Sequence, residues 1–98
     1  MRNVYIIAYD VTADKRRNKV FKKLKGRGDA LQYSVFHCRL SKMELIQLQT
    51  ELWEILNLKD DRLVIVDVGP QEGRGELSID IWGKPLEDPG EPAGAVIV

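Results

Sequence analysis

Val4-Tyr5-Ile6-Ile7-Ala8-Tyr9 is an unbroken run of β-branched, aromatic and small apolar residues that ends on a carboxylate, Asp10. The run reads as a central strand with both faces covered. Eight of the basic residues crowd into Lys15–Arg27, immediately downstream. A lone carboxylate at a strand end, followed by a cationic helix, suits a protein that holds a metal ion beside a phosphate backbone.

The charge is polarised along the whole chain. Residues 1–40 carry ten Lys/Arg against three Asp/Glu, a net of +7; residues 41–98 carry five against twelve, a net of −7. At 98 residues the chain is one domain with a modest core, and oligomerisation would add to it. Val4–Ala8 and Leu63–Val66, the longest apolar stretches, are too short to cross a bilayer, so no membrane role is expected. Met1-Arg2-Asn3 leads straight into the strand without a secretory apolar region, and Cys38 is the single cysteine. Both features fit a reducing cytoplasm.

Thr12 and Asp14 offer N-cap chemistry for a helix from about Ala13 to Lys25, with Val20, Phe21 and Leu24 as its apolar stripe. Gly26 and Gly28 supply a left-handed stop. Leu31–Leu40 reads as two short strands joined by a tight turn at Tyr33-Ser34. Ser41-Lys42-Met43-Glu44 is a capping box that opens a second helix, with Leu45, Leu48, Leu52, Ile55 and Leu56 at helical spacing and a stop at Asn57. Arg62–Gly69 is another strand, Gly69–Gly75 a flexible loop, and Glu76–Trp82 alternates like an extra strand. The order βαββαβ plus one strand predicts an α+β, ferredoxin-like antiparallel sheet with two helices on one face. The domain spans residues 1–84, and 85–98 is an extended acidic tail ending in the β-prone Ala95-Val96-Ile97-Val98. That terminal segment is expected to pair with a sheet edge.

Lys15, Arg16, Lys19, Lys22 and Lys23 share one sign with no interleaved acid from Lys15 to Lys25, which favours a phosphate track over a merely solvated face. Nothing in the chain reads bases, so binding is expected to be independent of sequence. Arg17 lies on the stripe side; it either braces Asp10 or Asp14 or clamps a phosphate. His37 and Cys38 belong to no zinc-spaced cluster. The aromatic residues are expected in core or interface, with Phe36, just past a turn, as the candidate base-stacking exception.

Tyr9-Asp10-Val11, Asp14-Lys15-Arg16-Arg17-Asn18-Lys19-Val20, Gly28 and Gln32-Tyr33-Ser34-Val35-Phe36 occur in an order and spacing that resembles the CRISPR-associated protein 2 family, from about Val4 to Gly69. The resemblance implies a ferredoxin-like homodimer whose extra C-terminal strand packs on the partner's sheet. It implies a small subunit of the spacer-acquisition machinery that binds duplex DNA and bridges integrase subunits of the CRISPR-associated protein 1 family. It also implies a metal-dependent endonuclease acting on RNA or DNA. The family's strand-end Asp carries over to Asp10, paired across the dimer axis to share Mg²⁺, and its helix arginine to Arg17. The Ser-Val-Phe turn carries over to Ser34, Val35 and Phe36, and His37 stands where the family often has a carboxylate. Ala95–Val98 would dock the partner. A stand-alone metal-dependent endoribonuclease of ferredoxin-like toxin type is the alternative. An RNA-binding module ranks lower, because no Lys/Arg-Gly-Phe/Tyr-Gly/Ala-Phe strand is present.

Overall fold

The computed structural model describes residues 1–84 and Leu86. Four strands, β1 (Asn3–Asp10), β2 (Gly28–Gln32), β3 (Val35–Leu40) and β4 (Arg62–Pro70), form one antiparallel sheet in the order β2-β3-β1-β4. Helices α1 (Asp14–Lys25) and α2 (Lys42–Ile55) pack on one face. This is the expected ferredoxin-like arrangement, with β1 paired to a neighbour on each edge.

Alternation along β1 sorts its side chains. Tyr5, Ile7 and Tyr9 turn toward the helices and join Val20, Phe21, Leu24, Phe36, Cys38, Leu40, Leu48 and Leu52 in the core, with Leu63 and Ile65 against its edge. Ile6 and Ala8 turn the other way. Their register partners there are His37 and Val35 on β3, and Val66 and Val64 on β4. This second face is not covered as the continuous apolar run predicts: Val64 and Val66 are 40% and 48% exposed. Among the described residues of this face, Val4, fully buried, and His37, 8% exposed, are the buried ones, and both lie beside α3 (Arg74–Leu77). A β-bulge lies between Val4 and Tyr5, and just beyond it Gly69 adopts φ +115. The chain then folds back as α3 over Val4. Gly75 makes that approach feasible, since a Cβ there would meet two backbone oxygens at 2.5 Å.

Local chemistry differs from expectation at three places. The α1 N-cap is Ala13, with no side-chain cap. Thr12 instead donates its N–H to Asp61 (3.0 Å) and its hydroxyl to the Asp60 carbonyl (2.9 Å), and Asp14 sits inside the first turn. Gly26 closes α1 in the right-handed region (φ −75), and Gly28 already belongs to β2. The extra strand over Glu76–Trp82 does not form: Arg74–Leu77 is helical and residues 78–82 pair with no strand. A strand requires a free ladder to join, and the segment leaves Leu77, Ile81 and Trp82 at 86%, 67% and 87% exposure. The terminal Ala95–Val98 lies outside the described residues. The predicted hairpin with its turn at Tyr33-Ser34 is present, although its first strand starts at Gly28 rather than Leu31, and the Ser41–Glu44 capping box closes with reciprocal bonds of 2.8 and 3.2 Å.

Asp61 ties the ends of the sheet together. Its inaccessible carboxylate accepts from Thr12 N, Asn57 N, and Arg16 Nε and Nη2 at 2.8–3.1 Å. The Arg16 fork, followed by the two backbone donors, holds its pKa well below the usual carboxylate range. A depressed carboxylate stabilises the fold above its unfolded pKa, near 4, and that stabilisation is lost as pH falls through the folded value. Asp61→Asn is therefore expected to lower Tm at pH 7 by at least about 10 °C. The gap from wild type should narrow progressively below about pH 4, followed by thermal melts across that range; a gap independent of pH would contradict the assignment.

Candidate nuclease site and nucleic-acid surface

Asp10 is the last residue of β1, and the alternation that sends Tyr9 into the core sends Asp10 to the open face of the sheet. It is exposed, and among the described residues its side chain enters no hydrogen bond or ion pair. Its oxygens are thus available to a cation. No group of three or more His, Cys, Asp or Glu gathers around a common point among the described residues. One chain accordingly offers one carboxylate. Mg²⁺ suits such a site, because it retains several waters and takes one or two protein carboxylates.

The Tyr33-Ser34 turn is anchored beside this strand end. Tyr9 N–H donates to the Ser34 carbonyl at 3.0 Å, and the Tyr9 hydroxyl to the Tyr33 carbonyl at 3.1 Å. Phe36 is a core residue with no exposed surface, its ring 6.4 Å from Tyr9 and 5.6 Å edge-on from Phe21. It is therefore closed to base stacking. Burial pushes the Tyr9 phenol up to about 12, against a smaller pull from the Arg17 charge. Burial likewise pushes the Cys38 thiol up to about 11. Neither supplies a base or nucleophile near neutral pH.

The cations of α1 divide into two sets. Arg17 donates to the Val11 carbonyl at 2.9 Å and pairs with Asp14, bracing the β1–α1 loop. Arg16 is committed to Asp61. Lys15, Lys19, Lys22 and Lys23 all face solvent; among the described residues only Lys23 of these has an acid within ion-pair reach, Glu51 at 3.9 Å. Of the five cations expected to form a track, the four lysines are thus left exposed on the surface, with Arg16 drawn inward.

On the open face, His37 Nε2 lies 3.4 Å from Glu76 of α3, and Arg39 meets the other oxygen of Glu76 at 3.1 Å. The Arg39 hydrogen bond holds the Glu76 carboxyl below its ordinary value. His37 is thereby part of a structural clasp between the sheet and α3.

A family model described as CRISPR associated protein Cas2 matches residues 3–74. The chain belongs to the Cas2 family. It is 41% identical over 95 residues to a Synechocystis sp. protein named CRISPR-associated endoribonuclease Cas2 3, across 97% of this chain and 98% of the relative. A Geobacter sulfurreducens CRISPR-associated endoribonuclease Cas2 is 39% identical over 72 residues, covering 74% and 76% of the two chains. Among solved structures, the hypothetical protein TT1823 from Thermus thermophilus aligns with TM-score 0.74 at 31% identity, over 89% of this chain and 98% of that one. Streptococcus pyogenes Cas2 shares the fold, with TM-score 0.69 at 24% identity over 82% and 99%.

One residue that holds this Cas2-family chain together at the strand end, Asp61, is not among those the sequence marks out. The available signal is Asp60-Asp61 standing directly before a strand, a turn-forming acidic pair that invites a buried role. Among the described residues, no helix is long and apolar enough to cross a membrane.

Because the Tyr9 hydroxyl is buried and bonded, it should stay protonated well above the range of a free phenol. Spectrophotometric titration at the tyrosinate band is expected to show one tyrosine ionising near pH 12 in wild type and absent in Tyr9→Phe. Ionisation of that tyrosine near pH 10 would disprove the packing described.

Proposed function

We propose that this Cas2-family protein acts as a homodimeric, cytoplasmic subunit of spacer acquisition whose dimer also carries a metal-dependent endoribonuclease site. The observation that carries the reading is the open sheet face. Ile6, Ala8, Val35, Val64 and Val66 form an apolar field there, with the unpaired Asp10 at its end. A second copy against that field removes apolar surface from water, at about 25 cal/mol per Å², and brings two Asp10 carboxylates to the two-fold axis. Paired carboxylates without a cation repel and raise one another's pKa, so the pair favours a bound divalent ion. The relatives' names as endoribonucleases support RNA as the cleaved strand.

Asp10 would hold Mg²⁺, which supplies charge neutralisation at the phosphate and a water of lowered pKa. Lys15, Lys19, Lys22 and Lys23 bind the phosphate backbone without reading bases, and this includes duplex DNA in the acquisition role. The Ser34 turn and Arg17 support the strand end and the loop after it. The exposed segment around Leu77, Ile81 and Trp82 takes the extra-strand role on the partner's sheet, and the 85–98 tail, ending in Ala95–Val98, docks the integrase subunit. An edge strand that lacks its ladder within one chain finds it in a second.

A matched assay of wild type and Asp10→Asn tests both roles. Mg²⁺-dependent RNA cleavage is expected to fall by at least about 100-fold, while the dimer and its capture of the integrase subunit persist. Full cleavage by Asp10→Asn would refute the metal site. Cleavage by a wild type that captures no integrase subunit would favour the stand-alone toxin-type endoribonuclease. Removal of residues 86–98 should abolish capture; undiminished capture would refute the tail's role.

Replacing Lys15, Lys19, Lys22 and Lys23 together by Gln should flatten the dependence of duplex binding on salt. The log–log slope is expected to fall by about 0.9 for each phosphate the lysines neutralise in wild type. An unchanged slope in filter binding from low to physiological salt would place the phosphate surface elsewhere.

A further inference from the structure

The end of the β1–β4 ladder holds a second charge. Asp10 and Arg62 are register partners, the last pair of that ladder. Tyr9 and Leu63, the preceding pair, face the helices, so Asp10 and Arg62 both turn to the open face. Opposed residues of an antiparallel pair have Cβ atoms roughly 5 Å apart. Both side chains are exposed, and among the described residues neither enters an ion pair or side-chain hydrogen bond.

The backbone beneath this pair is pinned on both strands. Asp61, next to Arg62, grips Thr12 N–H two residues beyond Asp10, and its own carboxylate is locked by Arg16. Arg17, the other guanidinium near this strand end, is committed to the Val11 carbonyl and Asp14. A carboxylate facing a phosphodiester repels it unless a cation stands alongside. Arg62 is placed to be that cation, with a planar fork suited to two phosphate oxygens.

We propose that Arg62 is the phosphate-binding residue of the Asp10 site, gripping the RNA backbone directly beside the carboxylate. The assignment rests on the reading of Asp10 given above and names the substrate contact at that same site. It gives each copy in a dimer its own neutralising guanidinium, and it leaves Arg17 as a brace for the β1–α1 loop.

The test is binding of a fluorescent single-stranded RNA in EDTA, where no turnover occurs, as a function of NaCl, followed by cleavage kinetics with Mg²⁺. Arg62→Gln should lower the log–log salt slope by about 0.7 for each phosphate that Arg62 neutralises and reduce kcat/KM by about tenfold or more. Arg62→Lys should restore the slope but only part of kcat/KM, because an ammonium offers no fork. Arg17→Gln should keep the wild-type slope while lowering Tm. An unchanged slope in Arg62→Gln, or a reduced slope in Arg17→Gln instead, would overturn the proposal. Full cleavage by Asp10→Asn would refute the Asp10 reading separately, since the slope in EDTA reports Arg62 without any cleavage.

Discussion

Strand β1 has a neighbour on each edge, and this double pairing organises the whole domain. Both ladders set register, and with side chains alternating every residue, a register fixes which half of β1 meets the helices. Tyr5, Ile7 and Tyr9 seat the core of α1 and α2, while Ile6, Ala8 and Asp10 are left on the opposite face. A slip by one residue would bury Asp10 and expose Ile7. The position of the carboxylate is therefore enforced by the same free energy that builds the core.

Asp61 secures the place where β1 leaves the sheet. Its carboxylate makes the crossing between the turn before β4 and the loop before α1 a set of charge-assisted bonds in a site closed to solvent. This engages Arg16, and a comparable local bond engages Arg17. The cationic run of α1 thus divides by function: the two arginines hold the fold around the strand end, and the lysines remain on the surface. Lys, a strongly hydrated point charge, suits the exposed positions, whereas Arg suits the fixed, bidentate geometry at Asp61.

The open face gives the domain an unfinished side. Val64 and Val66 remain exposed beside Ile6, and the segment after α3 exposes Leu77, Ile81 and Trp82. The His37–Glu76–Arg39 clasp covers only the Val4 end. Contiguous apolar surface left open in this way is uncommon on a soluble domain that stands alone.

Much of this was readable from residue order. The Val4–Tyr9 run, the Tyr33-Ser34 break, the Ser41–Glu44 capping box and the leucine spacing of α2 are local signals, and local chemistry is sufficient to form them. Asp10 at a strand end and the +7/−7 polarity were equally visible. Burial on the second face of β1 was not, because an apolar run reads alike whether covered by its own chain or by another. The Glu76–Trp82 alternation was legible as a pattern, but a strand exists only where a ladder accepts it. The ion pair of Arg16 with Asp61, 45 residues away, and the placement of Arg62 opposite Asp10 in the ladder depend on register between distant segments. Sequence alone determined which groups are present and which local elements they favour. Tertiary structure decided which charges neutralise one another and which stay free to bind, because that depends on distances across the sheet.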